Sequence, residues 1–142
     1  MNSMTLTFDA KIENEVFART SGVAFLMPLN LSTEAMMEIK TVLAEAIVNA
    51  ILHGYQNRQE GKITLSMSIS DEKELTLIVE DDGVGMEDVL LAMTPMYTSC
   101  KEQERSGMGF TIMETFLDSL EVQSAAGEGC RIIGKKQLKQ YG

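Results

Sequence analysis

The segment that most restricts the fold is a capped amphipathic helix opening at Ser32. Ser32 is a good N-cap, because a serine hydroxyl can accept from a free amide of the first turn. Thr33 and Glu34 suit that turn, and Glu34 also matches the positive end of the helix dipole. Met36, Ile39, Leu43, Ala46, Ile47 and Ala50 then recur at three- and four-residue spacing, the pattern of one buried stripe. Gly54 ends the pattern, where a left-handed C-terminal conformation is expected. Such a stripe must lie on another apolar surface.

The surface is supplied next. Ile63, Leu65, Met67 and Ile69 alternate with Thr64, Ser66 and Ser68, the period of a half-exposed strand. A polar turn at Asp71 to Glu74 leads into Leu75–Val79, so the two segments read as a hairpin. Met4 to Phe8 alternates in the same way. From Ile12 to Leu29, Val16, Phe17, Val23, Phe25 and Leu26 recur near helical spacing, with Pro28 marking the end. Residues 86–106 hold Pro95 and no lasting period, and a loop of that length in a compact domain is usually functional. Gly107 to Gly109 opens a further helix through about Leu117. Strands near Leu120–Ser124 and Cys130–Ile133 meet across Gly127-Glu128-Gly129. The expected architecture is an α/β (α+β) two-layer sandwich, a mostly antiparallel sheet covered by about three helices on one face. With no repeat, no low-complexity tract and two prolines, residues 1–142 read as one domain.

Charge restricts the partners. Twelve basic and 21 acidic residues leave a net charge of −9, so neither nucleic acid nor an anionic membrane surface is expected as a direct partner. Two cysteines make no disulfide framework, no apolar run reaches the roughly 18 residues of a membrane span, and the first residues lack a secretory pattern. A cytoplasmic, reduced setting is the expectation. Arg131, Lys135, Lys136 and Lys139 cluster near the end and read as a solvated basic tail from about residue 134. The eleven methionines read mainly as pliable core filler.

Three constellations carry chemistry. Glu45 lies roughly 150° from the centre of the apolar stripe, and Asn49 is one turn beyond it. A solvated polar face would explain both, but Val42 and Leu52 share that side, so something should cover it. A carboxylate beside an amide can take a proton and give an oxygen ligand to a hard cation. Asp81 ends a strand before Gly83 and Gly85, which let the backbone turn tightly near a ligand; the aspartate can accept from an exocyclic amine. A simple acidic turn is the plain alternative, and an EF-hand is excluded by its ligand spacing. Arg105, Gly107 and Gly109 precede or open a helix, where free amides bind anions and a guanidinium matches phosphate oxygens. By contrast, Gly129–Lys136 only mimics a P-loop. Lysine stands where serine or threonine should bind magnesium, and Arg131-Ile132-Ile133 favours a strand.

The order of these motifs is more specific than any one of them. Glu-x-x-x-Asn on a helix, a hairpin ending in Asp-x-Gly-x-Gly, a long loop and Gly-x-Gly on a helix together resemble the Bergerat ATP-binding fold of gyrase, heat-shock chaperone, sensor histidine kinase and mismatch-repair ATPases. Phe17-Ala18-Arg19, Glu38 to Val42, Ile51 to Tyr55 and Glu104 to Glu114 further resemble the sporulation anti-sigma F factor family, the stage II protein AB group. The likeness runs from the first strand to about Ile133.

That resemblance implies a dimeric ATP- and Mg-dependent protein serine kinase. It would restrain a sporulation sigma factor and phosphorylate a serine of an anti-anti-sigma partner. It makes Glu45 the catalytic base and Asn49 the magnesium ligand. Asp81 would read adenine, with Gly83 and Gly85 beneath the nucleotide. Thr98, Arg105, Gly107, Met108, Gly109 and Phe110 would line the phosphate end, and Arg19 would dock partners. Two departures stand out. The family lid usually reads Thr-Thr-Lys, and here it is Thr98-Ser99-Cys100 with Lys101 one place later. Its last strand usually carries Gly-Thr-Thr, replaced here by Gly129-Cys130-Arg131, so a thiol stands in for a stronger hydrogen-bonding hydroxyl. The alternatives are a nucleotide-dependent switch without transfer, a general-stress anti-sigma kinase, and an interaction domain without nucleotide.

Overall fold

The computed structural model describes residues 1–54, 61–81, 109–124 and 129–138. Five strands form one sheet: β1 (Asn2–Asp9), β2 (Lys62–Ile69), β3 (Glu74–Asp81), β4 (Ser119–Ser124) and β5 (Cys130–Gln137). Their order is β1-β2-β3-β5-β4, with every neighbouring pair antiparallel. The period-two patterning sets the faces. Ile63, Leu65, Met67, Leu75, Leu77, Val79 and Ile132 point into the core, while Thr64, Ser66 and Thr76 point away from it. On that outer face the hydroxyls of Thr7 and Thr64 lie 3.2 Å apart across the β1–β2 pair.

Among the described residues three α-helices lie in the second layer: α1 (Glu15–Leu26), α2 (Thr33–Asn49) and α3 (Gly109–Phe116). Helix α1 is flanked by 3₁₀ turns at Ile12–Asn14 and Met27–Leu29, the second holding Pro28, and Asn30 closes the segment at φ 52°. The expected helix from Ile12 to Leu29 is therefore three pieces. Of its apolar residues, Leu26 is buried and Val23 and Phe25 are half-buried, whereas Val16 and Phe17 are exposed. Gly22 sits where α1 crosses the core: a Cβ there would come within 2.8 Å of Leu43 Cδ1 and 3.0 Å of Met67 Sδ.

Helix α2 begins as its cap requires, with Ser32 Oγ accepting from the Ala35 amide at 3.1 Å. Ile39, Leu43, Ala46, Ile47 and Ala50 of its stripe are buried and Met36 is half-buried, but Val42 and Val48 are buried as well. The reason is tertiary: α1 and α3 both pack on α2, so more than one side of it is covered. Its C-terminal end corrects one expectation. Beyond Asn49 the chain makes a π turn, Ala50–Gly54, and the described left-handed glycines are Gly61 and Gly129. That π turn packs against β3.

The β2–β3 turn at Asp71–Lys73 is closed by the Lys73 amide donating to the Ser70 carbonyl at 3.0 Å, with Lys73 itself at φ 67°. The C-terminal end differs from the expected tail. Arg131, Lys135 and Lys136 belong to β5, which pairs with β3 and β4 through Gln137 and Lys135 respectively, so these three are paired strand rather than solvated coil, while Lys139 lies outside the described residues. Strand pairing also removes the P-loop mimic at Gly129–Lys136. Gly134 admits Leu117 onto the sheet, since a Cβ there would lie 2.7 Å from Leu117 Cδ1.

Candidate functional site

Two helix ends and one strand end supply the described part of the site. Glu45 and Asn49 occupy the last turns of α2, one turn apart and both half-buried. Opposite them stands Gly109, the first described residue of α3, and a Cβ on Gly109 would lie 3.3 Å from Oε2 of Glu45. The glycine thus lets this end of the helix come close to the carboxylate. The side of α2 carrying Val42 is covered, as the sequence required, and α1 and α3 both pack on this helix.

The electrostatics of this junction follow from the backbone. The first amides of a helix have no intrahelical partner and carry partial positive charge. A carboxylate set against that terminus is favoured there, and the same amides suit phosphate oxygens. Glu45 and Asn49 offer oxygen donors of the hardness that magnesium takes, and magnesium asks for few protein ligands because it keeps several waters. The residues present therefore fit a magnesium–phosphate group.

Asp81 closes β3, the middle strand of the sheet, facing Ile63 on β2 and Cys130 on β5 in register. It is half-buried, and Cys130 is buried. The residue that stands where the family pattern has a hydroxyl is thus paired in register with the aspartate expected from the resemblance to read adenine. Phe110 follows Gly109 with its side chain buried, so only its backbone amide can face a phosphate. Gly83, Gly85, Thr98, Cys100, Arg105, Gly107 and Met108 lie outside the described residues.

Arg19 is on α1. Its Nε lies 2.9 Å from Oε2 of Glu15, one turn earlier, and Glu15 is 9% exposed. The two charges touch, yet the N–H is not aimed at the oxygen and both atoms are shielded from solvent. The i, i+4 spacing of Glu15 and Arg19 would have revealed this pair in advance. Two further charged residues belong to the helix layer. Lys136, expected in a solvated tail, reaches it from β5, and Glu38 stands seven residues before Glu45 on the same helix. Its spacing of two turns was the available signal.

Comparison with known proteins extends this picture. The model of the family described as "Histidine kinase-like ATPase domain" matches residues 8–133. An anti-sigma F factor of Clostridium novyi (strain NT) is 50% identical over 138 residues, spanning 97% of this chain and 96% of its own. One from Clostridium kluyveri is 50% identical over 135 residues, spanning 95% and 94%. Among solved structures, the RsbU and RsbW domains of Rv1364c from Mycobacterium tuberculosis superpose with a TM-score of 0.73 at 16% identity, covering all of this chain and 34% of that one. The mycobacterial sensor histidine kinase MprB gives 0.61 at 14% identity, covering 97% and 100%. At such identities the structural likeness is one of fold, and it agrees with the helix-on-antiparallel-sheet architecture described above.

Proposed function

This chain belongs to the histidine kinase-like ATPase domain family and, within it, to the anti-sigma F factors, and from that premise we propose that it binds and inhibits a sporulation sigma factor and uses ATP to phosphorylate a serine on an anti-anti-sigma antagonist. The observation that carries the reading is the junction of Glu45 with the first residue of α3, where a Cβ on Gly109 would come 3.3 Å from the carboxylate oxygen. A proton acceptor beside a helix N-terminus is the pairing that transfer to a hydroxyl requires: one group takes the proton, the other holds the phosphate.

In this reading each residue has one task. Glu45 accepts the serine hydroxyl proton at its carboxylate, an effect worth about 10²–10⁴ in rate. Asn49 would hold magnesium through its side-chain oxygen; the ion supplies charge neutralisation on the phosphates. Asp81 accepts from the exocyclic amine of adenine, while Gly83 and Gly85 let the backbone pass beneath the nucleotide. Thr98, Arg105, Gly107, Met108, Gly109 and the amide of Phe110 enclose the phosphates. Phosphoryl transfer asks mainly for positioning and charge compensation, which suits a site built from helix ends. Arg19, set among exposed Val16 and Phe17, would meet the protein partners. The whole chain acts as one cytoplasmic domain, and two copies form the working dimer.

A titration with a fluorescent ATP analogue, with and without magnesium, followed by γ-phosphate transfer to the purified antagonist, tests the proposal. Magnesium-dependent binding and serine phosphorylation are expected. Absence of nucleotide binding would overturn it, and binding without transfer would leave the nucleotide-dependent switch.

A further inference from the structure

Lys136 points from β5 into the helix layer. Its Nζ donates to the carbonyl of Phe116, the last residue of α3, at 2.7 Å and lies 3.1 Å from Oε1 of Glu38 on α2. The lysine side chain is 14% exposed and that of Glu38 25%, so this is a shielded contact. Glu38 and Glu45 are seven residues apart, two turns, and share one face of α2 to within about 20°. Helix α3 therefore runs antiparallel along that face, with its first residue at Glu45 and its last carbonyl beside Glu38. The lengths agree: seven residues of α2 rise about 10.5 Å and the eight of α3 span about 12 Å.

The charges at the far end are arranged so that the cation is needed. A helix C-terminus carries partial negative charge, and the Glu38 carboxylate faces it. Lys136 lies between them and compensates both. The same corner is strapped to the sheet, the Asp118 amide donating to the Lys135 carbonyl at 2.8 Å. That strap reaches only β5, whereas Lys136 carries the link on to α2. Without the ammonium, the terminal carbonyls and Glu38 repel. An eight-residue rod seated on buried Phe110 and Met113 then tilts, which moves its first residue relative to Glu45.

We propose that Lys136 is a positioning residue: by clamping the C-terminal end of α3 to Glu38, it sets where the N-terminus of α3 meets Glu45. The consequence for rate rests on the kinase reading above; the consequence for geometry does not. A displacement of about 1 Å at a reacting site can cost 10²-fold in rate.

The test compares the full-length parent with Lys136→Met, Lys136→Arg and Glu38→Gln. The nuclear Overhauser contact between the Gly109 α-protons and the Glu45 side chain is expected to weaken at least twofold in Lys136→Met and to be retained in Lys136→Arg. Glu38→Gln should weaken it less, and it provides the geometric test if Lys136→Met does not fold. In γ-phosphate transfer, kcat should fall at least tenfold in Lys136→Met with KM for ATP within twofold, and arginine should restore it. An unchanged Gly109–Glu45 contact in a folded Lys136→Met or Glu38→Gln protein overturns the inference. A parent protein that transfers no phosphate overturns the kinase reading alone, and the contact then still decides the role of Lys136.

Discussion

Glu45 and Gly109 depend on each other in a way that neither position explains alone. Glu45→Gln keeps the size of the side chain but removes the proton acceptor, so transfer should fall by about 10²–10⁴ while affinity for the ATP analogue stays within a few-fold. Equal loss of both in paired binding and transfer assays would contradict the base assignment. Gly109→Ala tests the other partner. The added methyl would sit 3.3 Å from the Glu45 oxygen, closer than a comfortable contact, so the carboxylate must give way by a few tenths of an ångström. Transfer should drop about tenfold or more with little change in melting temperature, because the site rather than the core is disturbed.

Among the elements, α1 and the β1–β2 pair make separate predictions. Gly22 lies in mid-helix, where alanine is ordinarily better by about 1 kcal/mol. Here its methyl would approach Leu43 Cδ1 to 2.8 Å and Met67 Sδ to 3.0 Å, and both neighbours are fully buried with little room to move. Overpacking costs about 1–3 kcal/mol, so Gly22→Ala should be net destabilising and Gly22→Val more so, read as a fall in the urea midpoint at unchanged slope. On the β1–β2 pair, Lys62 hydrogen-bonds the Asp9 carboxylate, and that bond, reinforced by its charge, holds the carboxyl below the usual range. A depressed folded value means the contribution is present above the unfolded carboxyl pKa. It is lost as pH falls through the folded one. Acid titration should therefore show a small loss of stability below about pH 4, absent in Lys62→Met. The effect is expected to be slight because the pair is exposed.

For the whole molecule, nucleotide binding to the proposed site, made from the ends of α2, α3 and β3, is expected to stabilise all three together. At a magnesium–ATP concentration of 100 times Kd, the folded state gains about 2.7 kcal/mol. A rise of several degrees in melting temperature is expected, lost in Asp81→Asn if that aspartate reads the base. A shift of the same size with magnesium alone would argue against a nucleotide site.

Much of this architecture was present in local pattern. Period two in β2 and β3, helical spacing and the Ser32 cap in α2, and glycine at the head of α3 each depend on neighbours a few residues away, so the sequence by itself determined them. The ingredients of the proposed site are local in the same way, because Glu45 and Asn49 are related by one helical turn and Asp81 stands at a strand end. What required the tertiary structure was everything set by contacts between distant segments. The burial of Val42 comes with the packing of α1 and α3 on α2, and α3 lies more than sixty residues later in the chain. Lys136 reads as one more charge in a basic stretch until β5 is placed between β3 and β4, where its ammonium meets Glu38 and Phe116. Val16 and Phe17 leave α1 about 80° and 180° around from buried Leu26 and are exposed, and which side of the helix is covered follows from where α2 and the sheet stand. Spacing fixes the angle at which a side chain leaves its own helix; which element stands opposite is decided by packing across the whole chain.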